Sequence, residues 1–252
     1  MTAGVATAVD AAPAASARVR YDRLDALRGF AIVWMAAFHF SFDLNYFQFI
    51  HQNFYRDPFW TVQRACIVTL FMACVGAGQA IASAEGQPLA RFWRRWLQIA
   101  GCAALVTLGS ATMFPKSFIS FGVLHGIAVI LIIVRFTARW GAWRWPLGLV
   151  AIVLPKLVGD PFFDTRWTNW VGLVTHLPVT EDYAPVLPWL GVVWWGAAAT
   201  DWLLAHRSAL VRGALPRALH PLAVLGRWSL SFYMLHQPVL IGILLLVTTL
   251  RH

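Results

Sequence analysis

The chain has 252 residues, 59% of them hydrophobic and 12% charged, which is too apolar for a soluble domain of this length and points to a polytopic integral membrane protein. Its formal net charge is +9, but the basic residues segregate by alternate loops, so topology and contact with anionic lipid account for it and no nucleic-acid partner is implied. Cys66, Cys74 and Cys102 are odd in number and lie in apolar segments without metal-ligand spacing, and neither an internal repeat nor a Walker-type glycine loop invites ATP-driven transport.

Residues 1–17 are Ala-rich and lack the basic start and apolar core of a cleavable signal peptide. Residues 1–20 are therefore expected to be a disordered cytoplasmic tail, and 21–252 a single all-α transmembrane domain. Apolar runs predict seven spans, at 27–44, 60–83, 96–113, 119–136, 145–158, 186–204 and 228–250, the fifth being short. Fourteen tryptophans suit interfacial belts.

These spans sort the charges. One side collects Arg18, Arg20, Arg23, Arg28, Arg91, Arg94, Arg95, Arg135, Arg139, Arg144, Arg207, Arg212, Arg217 and Arg227, fourteen of the twenty basic residues. The other holds Arg56, Arg64, Lys116, Lys156, Arg166 and Arg251 with most of the acids. The positive-inside rule then puts the N-terminus in the cytoplasm and the C-terminus outside, as expected of a multi-pass protein of the inner membrane.

The first span carries Arg28 at its start and His39 and Asp43 near its end. Ionisable side chains in a span are costly, so they usually face a cavity, a partner or a substrate path. At about 100° per residue, Arg28 and His39 are nearly eclipsed and Asp43 lies one turn further on roughly the same face. The separation of Arg28 from His39 is a rise of about 16 Å, which spreads the stripe from one membrane surface to half the depth or beyond. A neutral imidazole has a pKa near working pH and can take a proton from an attacking hydroxyl or amine. Asp43, four residues on, is placed to accept a hydrogen bond from His39 and fix its tautomer. Helix packing alone would also use a hydrogen-bonded histidine.

Four stretches in order carry a family pattern: Arg23-Leu24-Asp25-Ala26-Leu27-Arg28-Gly29-Phe30 with His39 and Asp43, Phe121-Gly122-Val123-Leu124-His125-Gly126, Asp182-Tyr183-Ala184-Pro185-Val186-Leu187-Pro188-Trp189, and Leu225-Gly226-Arg227-Trp228-Ser229 running to Tyr233, His236, Gln237 and Pro238. Together they resemble the heparan-alpha-glucosaminide N-acetyltransferase-like family of bacterial membrane proteins, within a transmembrane acyltransferase superfamily shared with the acyltransferase-3 proteins. The resemblance covers nearly residues 20 to 250. It implies acetyl-CoA or a similar acyl-CoA as donor, a sugar amine or hydroxyl as acceptor, and no metal. Arg28 and His39 look like the arginine-to-histidine motif of acyltransferase-3 proteins, whose histidine is taken as catalytic. The lysosomal members instead place a catalytic histidine just after the first span, where His51 is the best match, and carry asparagine near the His39 position. His39 is the first choice and His51 the second.

Arg28, Arg94, Arg95 and Arg227 are candidates for the coenzyme A phosphates, which guanidinium groups bind bidentately, although positive-inside flanking explains Arg94 and Arg95 equally well. In the last span Ser229, Tyr233 and His236 share a face with Gln237 beside them, which suits either helix packing or a substrate pocket. His125, flanked by glycines, favours packing. The long outer segment 156–185 holds Asp164, Trp167, Trp170, His176, Glu181 and Asp182, and acids beside flat aromatic faces suit a sugar, while tryptophans also suit the membrane interface. A short re-entrant or interfacial helix is expected there.

The sequence therefore predicts a seven-span acyltransferase that moves an acetyl or short acyl group from cytoplasmic acyl-CoA to a polar acceptor, such as a glycan, at the outer face. Its rivals are a proton-coupled transporter of a small metabolite, for which intramembrane His, Asp and Arg are equally expected, and a non-enzymatic scaffold. The acceptor and the formation of a homo-oligomer are left open.

Overall fold

The computed structural model describes residues 20–250, so nearly all of the expected disordered tail lies outside the described residues. Among these residues the regular structure is all helical. In chain order the helices are α1 (Asp22–Tyr46), α2 (Pro58–Ala84), α3 (Leu89–Met113), α4 (Val123–Phe136), α5 (Arg144–Leu157), α6 (Val186–His206), α7 (Ser208–Arg212), α8 (His220–Arg227) and α9 (Ser229–Leu250).

A helix occupies each segment read as a span, but membrane-crossing length and apolarity meet in fewer. By those two criteria α2, α3 and α9 qualify, and α4 with the following segment to Leu157 adds a fourth only if that pair, bent by 105°, counts as one broken span. Helices α1 and α6, at 25 and 21 residues, are long enough but carry Asp25, Arg28, His39 and Asp43, and Asp201. Helix α5 has 14 residues, a rise of about 21 Å against a hydrocarbon core of about 30 Å.

Side-chain caps set several helix starts. Pro58 takes the first position of α2, where its missing N–H costs nothing, and Asp57 accepts from the Phe59 N–H at 2.8 Å. The fourth apolar run, expected to be helical from residue 119, starts at Val123 instead. The cause is Asp182, far along the chain, whose carboxylate accepts the Val123 N–H at 2.7 Å and fixes the first turn there. Burial of that carboxylate raises its pKa. The outer segment before α6, where the sequence predicts a short re-entrant or interfacial helix, contains two 3₁₀ turns, Pro161–Asp164 and Asn169–Val171. Asp164 braces it by accepting from the Thr175 N–H at 2.8 Å and hydroxyl at 2.6 Å, bonds that lower the Asp164 pKa. Tyr183 donates to the Asn169 carbonyl at 2.7 Å, and burial pushes its pKa up to about 12.

Two packed regions result. Met72 of α2, Ile130 and Val134 of α4 and Val193 of α6 are fully buried in the larger one. The smaller is aromatic: Phe38 and Phe42 of α1 meet Phe54 edge-on, and Phe54 stacks on Trp60 at 4.1 Å. Helix α1 is held from its other end by α8, a helix hidden inside what reads as one long linker. Gly29 abuts the Leu222 carbonyl and Gly226 abuts the Asp25 carbonyl, so a Cβ at either position would enter backbone.

Gly29→Ala and Gly226→Ala should each cost about 1–3 kcal/mol through overpacking against backbone, measured as a lower Tm of the protein in detergent. Gly101→Ala, whose Cβ would meet nothing within 4 Å, should leave Tm unchanged or slightly raised; equal behaviour of the three would contradict the close α1–α8 crossing. Asp182→Ala should cost about 1 kcal/mol by orphaning the Val123 N–H, in the same measurement.

Candidate functional site

The polar residues of α1 and α9 meet. Asp43 is 4% exposed, and its Oδ1 accepts from the Gln237 side-chain amide at 2.7 Å. Four residues back on α1, the ring of His39 faces that of His236 with centroids 5.2 Å apart and planes at 62°. Helical spacing explains this pairing: His39 and Asp43 are one turn apart on α1, and His236 and Gln237 are neighbours on α9. Pro238 follows immediately, and its missing N–H interrupts the α9 hydrogen-bond ladder beside the pair.

Hydrogen-bond direction defines the chemistry. The Nδ1 of His236 lies 2.7 Å from the Tyr233 carbonyl oxygen. A carbonyl only accepts, so Nδ1 carries the proton and Nε2 of the neutral ring holds a lone pair. That Nε2 is buried without a partner among the described residues, and so are Asp43 Oδ2 and Gln237 Oε1. Buried polar atoms are ordinarily satisfied; Gln79, Gln87 and Asn169 each leave one buried oxygen unpartnered elsewhere, and the grouping of three such atoms on Asp43, His236 and Gln237 makes this the candidate site.

Asp43 bonds to Gln237 and not, as its spacing along α1 predicts, to His39. The amide reaches the carboxylate from α9, a tertiary contact that spacing along α1 cannot reveal. Tyr233 enters the site through its carbonyl, while its ring packs among the core residues.

The stripe along α1 divides at Arg28. Its guanidinium turns towards α2, with Nη2 3.5 Å from the Cys74 carbonyl and close to Gly78, while Nη1 pairs with Asp25 Oδ1 at 3.1 Å. Arg227 pairs with Asp22 at 2.9 Å and approaches Asp25 at 3.8 Å. Arg28 and Arg227 thus share Asp25 at one end of α1, with 29% and 36% of their side chains exposed. Sequence reasoning passed over Asp22 and Asp25; the i,i+3 spacing of Asp25 and Arg28 was the available signal. Arg94 and Arg95 lie exposed on α3, where Arg95 bonds Gln98 at 3.2 Å and is within electrostatic reach of Arg28.

The remaining candidates lie elsewhere. His51 is exposed in the segment between α1 and α2. Its neighbour Gln52 donates its N–H to the Asn45 side chain at 2.6 Å, and Phe54 roots the same segment in the aromatic cluster around Phe38. Trp167 is 88% exposed in the outer segment, where Asp164 is engaged with Thr175 and lies 3.4 Å from His176. His125, near the start of α4, shares a hydrogen bond with Thr107 at 3.1 Å and receives the Gly122 N–H at 3.3 Å, as a packing residue would. Among the described residues no group of three or more His, Cys, Asp or Glu side chains could hold a metal ion.

No significant match was found among curated proteins or among solved structures. The family model described as heparan-alpha-glucosaminide N-acetyltransferase, catalytic, matches residues 20–238 and so takes in both the His39–Asp43 and the His236–Gln237 sides of the site: the chain belongs to that family.

Proposed function

We propose that this protein is an inner-membrane acyltransferase, carrying an acetyl or short acyl group from cytoplasmic acyl-CoA to an amine or hydroxyl of a sugar at the outer face. Membership of an acetyltransferase catalytic family supports the reaction class. The observation that carries the reading is the meeting of His39 and Asp43 with His236 and Gln237, where three buried acceptor atoms have no partner among the described residues. A multi-span topology with a cytoplasmic N-terminus would give this arrangement two sides, and the charge segregation supports it.

The donor would be held at the end of α1 where Arg28 and Arg227 share Asp25. Each guanidinium is only partly covered, so free N–H groups remain for phosphate oxygens while the acids hold the side chains in place. Arg94 and Arg95 add positive charge on the same side. In this reading the histidine pair handles the proton: the sequence pattern offers His39 as general base or transient acyl carrier, His236 faces it as the alternative, and Asp43 fixes the position of Gln237. His51 is the second candidate base, and its exposure suits a role at the acceptor entrance. Tyr233, His236 and Gln237 line the acceptor position, and Trp167 and Asp164 would meet a glycan at the outer surface.

Acetyl-CoA at about a hundred times its dissociation constant should stabilise the protein by about 2.7 kcal/mol. The measurement is Tm in detergent with and without acetyl-CoA. The shift should saturate and be lost in Arg28→Ala; no shift at millimolar acetyl-CoA in a folded sample would move the reading to a transporter. His39→Asn and Asp43→Asn should lower thiol release from acetyl-CoA by about 10²–10⁴-fold if the site performs acid–base catalysis, with Tm within a few degrees of the parent. Full activity in both variants would remove this site from the reaction.

A further inference from the structure

We infer that His236 is the catalytic base: its Nε2 takes the proton of the acceptor, with Gln237 Oε1 and Asp43 Oδ2 receiving the acceptor's neighbouring hydrogen-bond donors. The inference rests on the acyltransferase reading and assigns work within it.

Two groups that can only accept set the directions. The Tyr233 carbonyl forces His236 Nδ1 to donate, at 2.7 Å, so the lone pair of the neutral ring must sit on Nε2. The Asp43 carboxylate forces the Gln237 amide nitrogen to donate, also at 2.7 Å, so Gln237 is left with its oxygen free. Those two bonds leave His236 Nε2, Gln237 Oε1 and Asp43 Oδ2 buried without partners among the described residues. All three accept and none donates. A ligand that satisfies them must supply several N–H or O–H groups, as an amino sugar or another polyol does and a carboxylate or ester does not.

His39 has no comparable lock. Its contacts are with the rings of Phe38 and His236, which leave its tautomer unassigned, whereas the tautomer of His236 is set by its own helix. His236 therefore meets the first requirement of a general base, a lone pair whose position is settled before the substrate arrives.

The acceptor oxygen or nitrogen attacks the thioester carbonyl carbon while its proton passes to His236 Nε2. The new C–O or C–N bond forms, the C–S bond breaks with its electron pair on sulfur, and the imidazolium returns the proton to the thiolate. The products are the acylated acceptor, free thiol and neutral His236. During the step the positive charge on His236 is shared through the Nδ1–H bond to the Tyr233 carbonyl.

The test uses the full chain in detergent, reading thiol release from acetyl-CoA with D-glucosamine as the probe acceptor. His236→Gln should lower kcat by about 10²–10⁴-fold and leave KM for acetyl-CoA and the acetyl-CoA-induced Tm shift within about twofold of the parent, because the group acts in the transition state and not on the donor. Parental kcat in His236→Gln would overturn the assignment while leaving the acyltransferase reading in place. No thiol release by the parent protein would overturn that reading, and the assignment with it. A second variant serves as a check: His236→Asn should show the same loss of kcat with the acetyl-CoA-induced Tm shift kept, and parental kcat in it would likewise overturn the assignment.

Discussion

The hydrogen bond from Gln237 to Asp43 joins residues 194 positions apart, and the arrangement of the site depends on it. In apolar surroundings a carboxylate without partners is costly, so Asp43 can be buried at 4% exposure only where another element brings it a donor. That requirement draws α9 against α1. Once the two helices meet there, the histidine one turn back on α1 and the histidine one residue back on α9 fall opposite each other. Asp43 therefore serves as a structural anchor whose placement creates the histidine pair.

The opposite end of α1 is fixed by a different force. At Gly29 and Gly226 the backbones of α1 and α8 touch, and close packing does there what hydrogen bonding does at Asp43. Arg227 lies next to Gly226 and is carried by that crossing towards Asp22 and Asp25. The same contact that shapes the fold thus brings a C-terminal guanidinium beside Arg28. Charge alone would not achieve this, because an exposed ion pair is worth only about 0–1 kcal/mol; the glycine crossing sets the geometry and the ion pairs follow it.

Much of this was legible in the sequence wherever the signal was periodic. The polar positions of α1 and of the start of α9 stand out against apolar runs, and both reappear in the site. What escaped was tertiary. The pairing of Asp43 with Gln237 instead of His39 could not be read from i,i+4 spacing, because the competing donor arrives from another helix. Asp182 moves the start of α4 to Val123 from 59 positions away, so an apolar run beginning earlier overstated the helix. The 105° bend after α4 leads into a 3₁₀ segment, Ala138–Trp143, in which Gly141 has a φ of 51°, and the hydropathy of the two apolar runs gives no sign of it. Helix α8 had a local signal, Pro221 near its start, but its eight residues are too few for hydrophobic periodicity to register.

The site's hydrogen-bonding polarity narrows what can bind more than its shape does. Three unpartnered acceptor atoms disfavour a carboxylate or phosphate against them, because each would bury its own lone pairs against lone pairs with no proton between them. The same atoms suit an amine or a vicinal diol, which brings donors to acceptors that the fold leaves open. An acylated product has lost one of those donors: an amide keeps a single N–H where the amine had more, and an ester keeps none at the reacting oxygen. Product is therefore held less well than acceptor by the very atoms that recruit the acceptor. A fixed site built this way favours release after transfer without any moving part, and it does so because Asp43 and the Tyr233 carbonyl can only accept.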